Sequence, residues 1–184
     1  SGCGEGTAEP DDYVTNEGYE TTESYETTVT GNGSVTADTS DAIAKEDIKV
    51  GVLYISDPAE GGGYSYTHDL GILGMQSNLG LSDDQIERKI VDDSDADATR
   101  TAITECIDDG CNIIFTTSWG YMQVTADMAE EYPDVYFSHG TGYMSNGTNF
   151  NNYFGRIYQA RYLSGIVAGM NTTSNKIGYV AAQD

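Results

Sequence analysis

Positive charge is scarce in this chain. Eight Lys and Arg stand against thirty Asp and Glu, a formal net charge of -22 over 184 residues. The few cations form no cluster, so nothing offers a track for a phosphate backbone, and nucleic acid is excluded as a partner. Long apolar runs are missing too: no stretch reaches the roughly 20 residues that a membrane-spanning helix needs. Histidine is limited to His68 and His139, which lack metal-ligand spacing, so no metal site is expected. No Ser or Cys nucleophile stands in a recognisable motif with His68 and Asp69, which read as a hydrogen-bonded helix histidine and its neighbour. The glycine triplet Gly61 to Gly63 lacks the third glycine of a dinucleotide fingerprint, and no Gly-Lys-Ser/Thr follows it. The chain is therefore read as non-enzymatic, without a cofactor.

Aliphatic residues are nearly absent from Gly4 to about Lys45, where Val14, Val29, Val35 and Ile43 are the exceptions among Thr, Glu, Asp, Gly and Tyr. Such a stretch cannot bury enough apolar area to offset its ordering entropy, which predicts a disordered acidic tether. Cysteine is sparse as well. Cys3, in Ser1-Gly2-Cys3-Gly4, resembles the end of a bacterial lipobox, in which the cysteine becomes the lipid-bearing first residue; a lipidated terminus on a leash suits a protein held on the extracytoplasmic face of a cell membrane. Cys106 and Cys111 flank a helix-to-strand turn and read as small buried hydrophobes rather than a disulfide or a metal pair.

The folded part begins near Ile48 and is organised around Cys111 to Met122. Asn112 to Thr116 is short, β-branched and apolar enough to be a central parallel strand, and it stops abruptly at Ser118-Trp119-Gly120. Behind it a helix runs to Pro133. The single tryptophan thus sits where a central strand hands over to a helix, the place where open α/β sheets bind ligands. The first strand, Ile48 to Ile55, is followed by a glycine-rich turn and a helix from Tyr66 to Leu79, which places Tyr64 and Tyr66 at the same sheet edge. Further strands are predicted at Glu87 to Val91, Val135 to Ser138 and Tyr153 to Arg156, with a polar loop from Tyr143 to Asn152. A helix from Ile157 to Met170 is expected to turn Ile157, Ala160, Leu163, Ile166, Val167 and Met170 inward. Lys176 to Ala181 reads as a sixth strand.

Alternation at this spacing predicts an α/β fold, a parallel sheet of five to six strands with helices on both faces, most simply in the flavodoxin-like order 2-1-3-4-5. The expected division is a lipoprotein terminus and acidic tether over 1–47, an amino-terminal ligand-binding lobe over 48–175, and over 176–184 the first strand of a second, truncated lobe.

Four stretches carry a family resemblance: Gly63 to Gly71, Ile114 to Met122, His139 to Tyr143, and Tyr153-Phe154-Gly155-Arg156-Ile157-Tyr158-Gln159-Ala160-Arg161-Tyr162-Leu163-Ser164-Gly165 with the residues that follow to Gly169. In this order they resemble the basic membrane protein family, the purine-nucleoside-type substrate-binding lipoproteins of ABC transporters. The resemblance implies one lobe of a type I periplasmic-binding fold, a nucleoside or nucleobase ligand, ABC permease subunits as partners, and a membrane reached through the lipid on Cys3. It places base stacking on Trp119, with Ser118 and Gly120 beside it, and aromatic and polar contacts on Tyr64 and Tyr66. Gly61 stands where many members are acidic, with Glu60 one position earlier, and Tyr66 stands where others have Asn, so recognition of the sugar is less secure than stacking of the base. The alternative from another class is a ligand-sensing domain of a receptor or regulator on the same fold.

Overall fold

The computed structural model describes residues 42–181. Cys3 and the acidic stretch up to residue 41 lie outside the described residues. Five strands, β1 (Val50–Tyr54), β2 (Ile86–Ile90), β3 (Ile113–Thr116), β4 (Tyr136–Gly140) and β5 (Phe150–Tyr153), are accompanied by four helices, α1 (Gly63–Leu79), α2 (Ala96–Asp108), α3 (Met122–Glu131) and α4 (Ile157–Asn171), which alternate with them except between β4 and β5. All strand pairs are parallel, and the sheet runs β2-β1-β3-β4-β5, the order expected from the alternation.

The period of two along β1 builds both faces of the core. Val50, Val52 and Tyr54 join Ile72 of α1 with Leu81 and Ile86. Leu53 points the other way, into a larger cluster with Ile103 and Cys106 of α2, Ile114, Met128 of α3, Phe137 and Phe150. Between them Gly51 must stay small, because a Cβ there would lie 3.0 Å from the Cys106 sulfur. Tyr54 reaches across to α1, where its hydroxyl donates to Asp69 at 2.8 Å, and Arg88 of β2 holds the same carboxylate oxygen at 2.7 Å. Burial, then the bond to Asp69, raises the Tyr54 pKa. The carboxylate beside His68 is thus a tie between helix and sheet. Tyr54→Phe should cost about 1.5 to 3 kcal/mol in urea unfolding, the scale of a hydrogen bond to a charged group; an unchanged midpoint would mean that this bond does not tie α1 to the sheet.

The structure corrects several boundaries. α1 begins at Gly63 rather than Tyr66, and Leu70, Leu73 and Leu79 lie on its exposed side while Ser65 and Ile72 are buried. β4 continues to Gly140. β5 occupies Phe150–Tyr153, three residues earlier than the strand expected at Tyr153 to Arg156, so that all but its last residue falls in the stretch expected to be loop. It is an edge strand on which Phe150 alone is buried, while Asn151 is exposed and Asn152, half-buried, donates to the His139 carbonyl at 3.0 Å, and such a pattern reads as polar. The turn before it is set by Asn146, whose Oδ1 accepts from the backbone of Thr148 and Phe150, with Gly147 at φ 74°.

The largest correction concerns α4. The helix forms as expected, but all six of its predicted inward residues are exposed, and none joins either core cluster. An apolar stripe specifies that a helix will be covered, not by what, and among the described residues nothing covers it. Residues 176–181 form no strand, since a strand exists only through a paired neighbour and none of the five supplies one.

Candidate functional site

The connections after β1 and β3 leave on opposite faces of the sheet, so a crevice opens between the carboxyl ends of these two adjacent strands. Its central piece is a 3-10 turn, Trp119–Tyr121, between β3 and α3. Tyr121 anchors the turn from below: it is fully buried, and its hydroxyl donates to Val91 O at 2.5 Å. From the side, Asp93 holds the turn. Its carboxylate accepts from Ser118 Oγ at 2.5 Å and from Gly120 N at 3.3 Å. A Cβ on Gly120 would lie 2.1 Å from the Asp93 carbonyl oxygen, so only glycine permits this approach.

With its neighbours fixed, Trp119 is left 43% exposed, its ring 5.7 Å from that of Tyr143 at an interplanar angle of 57°. Tyr64 enters from the first turn of α1, and its hydroxyl donates to the Thr117 carbonyl. Burial raises the Tyr64 pKa, the Thr141 hydroxyl opposes this and the Asp93 charge adds to it. The Tyr64 ring packs on His68 with centroids 4.4 Å apart, and His68 Nδ1 lies 3.1 Å from Tyr64 O, which gives the histidine a local structural role.

The structure therefore draws Tyr64, Ser118 and Gly120 together around Thr117 and Asp93, with Trp119 at the rim. Glu60 stands apart, exposed on the 3-10 turn Pro58–Glu60. Tyr66 is half-buried, and two residues along a helix point to different sides, so it does not share the face of Tyr64. Asp93 and Tyr143 are the site residues that sequence reasoning missed. Asp93 was legible only as one acid among several, although its position just beyond the carboxyl end of β2 was a signal.

A cavity of about 390 Å³ lies beside the crevice, between α1 and the β3–β5 part of the sheet, lined by His68, Ile72, Met75, Phe115, Thr117 and Tyr153. It includes none of the six predicted ligand residues. Its walls are mostly apolar, and it marks the part of this sheet face that α1 does not reach. Among the described residues no helix is long and apolar enough to cross a membrane.

Comparison with known proteins agrees with this architecture. The family described as ABC transporter substrate-binding protein PnrA-like matches residues 48–184. A purine-binding protein of Brucella abortus is 36% identical over 143 residues, 77% of this chain and 39% of the relative. A protein of Haloferax volcanii, TsgA13, that bears the provisional name of an ABC transporter glucose-binding protein is 34% identical over 147 residues, 80% of this chain and 36% of the relative. The chain thus spans less than half the length of these relatives. In fold it is similar to a transcriptional activator of the comK gene from Bacillus halodurans, with a TM-score of 0.51 at 23% identity over 71% of this chain and 42% of that one. From the match over residues 48–184, on a parallel sheet of this order, the chain belongs to the PnrA-like family of ABC transporter substrate-binding proteins.

Proposed function

We propose that this chain carries the amino-terminal lobe of a two-lobe solute-binding protein that takes a purine nucleoside or nucleobase and delivers it to ABC permease subunits, anchored on the extracytoplasmic face through lipid on Cys3. The lobe ends with β5. α4 and residues 176–184 go with the second lobe, a boundary earlier than the expected residue 175. The exposed apolar stripe of α4 and the much greater length of the relatives support this division. Closure of two lobes over the crevice would sandwich the ligand and shift an open-closed equilibrium.

The observation that carries the reading is Trp119, an exposed indole at the switch point whose flanking residues are clamped by Asp93. A rigidly mounted aromatic face is what a planar base requires. Stacking on such a face is worth about 1 to 3 kcal/mol by alanine substitution, so Trp119→Ala in the full-length protein should weaken adenosine or guanosine binding roughly 5- to 150-fold. Trp119→Phe should retain most of the affinity. Because the side chain is only partly packed, the melting temperature of the unliganded protein should barely move. A large fall in melting temperature with unaltered affinity would assign Trp119 to the core.

A sugar is the second reading, favoured by the name of the Haloferax volcanii relative and by the fact that an aromatic face also accommodates the apolar face of a pyranose. Calorimetric titration with nucleosides, nucleobases and glucose separates the two. Binding of glucose with no response to any purine would replace the first reading by the second.

A further inference from the structure

The amino edge of the sheet, opposite the ligand crevice, holds a second group of chemically capable side chains. Cys106 lies in the last turn of α2, Cys111 just before β3, and Glu87 on β2. The two sulfurs and a Glu87 carboxylate oxygen all lie within 4.8 Å of one another. Both thiols are buried, Cys106 fully and Cys111 to 2% exposure. The turn that joins them is closed by its own backbone: Cys111 N donates to Cys106 O at 2.8 Å and Gly110 N to Ile107 O at 2.9 Å, with Gly110 at φ 93°.

Three donors in this arrangement suggest a soft metal ion, but Glu87 is already engaged. Lys89 lies 2.9 Å and Lys49 3.9 Å from its oxygens. A cation would enter against two ammonium groups. Removing Glu87 from the set leaves two thiols side by side, and that pair needs no further ligand.

We propose that Cys106 and Cys111 form an intramolecular disulfide as the chain folds. This rests on the extracytoplasmic placement proposed above, since such bonds form and persist in oxidising compartments. The two thiols together lose two protons and two electrons. An external disulfide accepts the electrons and leaves as two thiols, by way of a mixed disulfide that the second cysteine resolves. Exchange precedes closure of the core, because neither folded thiol is reachable. The Cys106 pKa is raised by its hydrogen bond to Cys111 and then by burial, which keeps the folded thiol a poor nucleophile. Bond formation brings the sulfurs from within 4.8 Å of one another to the bonding distance of about 2.05 Å. The bond pins the end of α2 to the start of β3, beneath the strand that carries the Trp119 turn.

The position of the acids makes the test direct. Asp108 and Asp109 lie between the two cysteines, so a protease that cuts before aspartate leaves them on separate peptides that stay joined only through a disulfide. The full chain is isolated without reductant, denatured, alkylated and digested. The expected result is a joined pair that reduction splits, with a melting temperature lowered by about 5 °C when reductant is present during unfolding. The double variant Cys106→Ala/Cys111→Ala should lose that response. Separate, alkylated peptides would overturn the proposal, as would either cysteine joined to Cys3 or one bound zinc per chain with both thiols free. The same mapping on chain refolded in a glutathione redox buffer separates the two premises. Unjoined peptides there overturn the disulfide itself, and joined peptides there with free thiols in the isolated protein overturn the compartment.

Discussion

Asn149→Asp should destabilise the fold by several kcal/mol, about 3 to 5. Asn149 is 7% exposed and stands just before β5. Its side-chain nitrogen faces three backbone carbonyls, of Ala129 at 2.9 Å, Tyr132 at 3.1 Å and Val135 at 2.8 Å. Two of these belong to the end of α3 and its cap, where the last carbonyls have no partner within the helix. One amide therefore closes the helix, the α3–β4 turn and the edge strand together. Its oxygen is also occupied, accepting from Asn146 Nδ2 at 2.7 Å. Only a donor fits against three acceptors, so the amide orientation is fixed by its surroundings.

Aspartate is the same size and reverses the chemistry. An ionised carboxylate would put an uncompensated negative charge against three carbonyl oxygens, and a buried charge without a partner costs about 3 to 5 kcal/mol. Asn149→Ala leaves the carbonyls orphaned without adding charge, which costs about 1 to 3 kcal/mol. Urea unfolding at pH 7 should therefore rank wild type above Ala and Ala above Asp, and the Asp variant should recover part of its loss on acidification, as protonation restores one donor. Equal midpoints for the Asp variant and wild type would mean that this side chain does not cap α3.

Asn149 also shows where sequence reading stops. A polar Asn-Gly stretch predicts a loop, and the residues that make Asn149 structural lie 14 to 20 positions earlier in the chain. The same limit applies to Asp93, which meets Ser118 and Gly120 some 25 residues away but in sequence is one of several acids. Short-range periodicity carried much more. The apolar run Val50-Gly51-Val52-Leu53-Tyr54 specified the first strand, that of Asn112 to Thr116 a central one, and the abrupt change after Thr116 located the Trp119 turn. Glu60 was named through family resemblance rather than from any local physical signal and stands exposed on its 3-10 turn, whereas Tyr66 was named from its place after the first strand, which does not say which side of α1 it takes. For α4 the apolar stripe was read correctly as a helix, yet its partner is a tertiary fact that no stripe encodes.

His139 had no evident role in the sequence, and the structure gives it one that acid should expose. It is fully buried at the carboxyl end of β4. A chain of hydrogen bonds fixes its tautomer: Thr125 Oγ1 donates to Tyr121 O, which leaves it to accept from Thr116 Oγ1 at 2.9 Å, and Thr116 in turn accepts from His139 Nδ1 at 3.0 Å. Nε2 then carries the bare lone pair, and among the described residues it has no hydrogen-bond partner. Gly142 crowds that side of the ring, where a Cβ would lie 2.6 Å from Nε2. Burial accordingly lowers the His139 pKa to about 4, although a backbone bond at Thr116 pulls it the other way.

The unfolded chain binds a proton at its histidine near pH 6.5, and the folded lobe does not do so until about pH 4. Below pH 6.5 the proton therefore favours the unfolded state. Stability falls as the pH drops toward 4 and levels off beneath it, a total loss of about 3 kcal/mol. Roughly 2 kcal/mol of this should appear between pH 7 and 5, before most carboxylates titrate. Urea unfolding at half-unit steps through that window should show the slope in wild type and a nearly flat profile in His139→Gln, which keeps a donor for Thr116 but has no proton to gain. The carboxyl ends of β3 and β4 meet at this histidine through Thr116, so the loss should be felt at the Trp119 turn first. Indole fluorescence should therefore change at a higher pH than far-ultraviolet circular dichroism. If both variants share one slope, the acid sensitivity belongs to other groups, and His139 is neutral in the folded lobe for no energetic consequence.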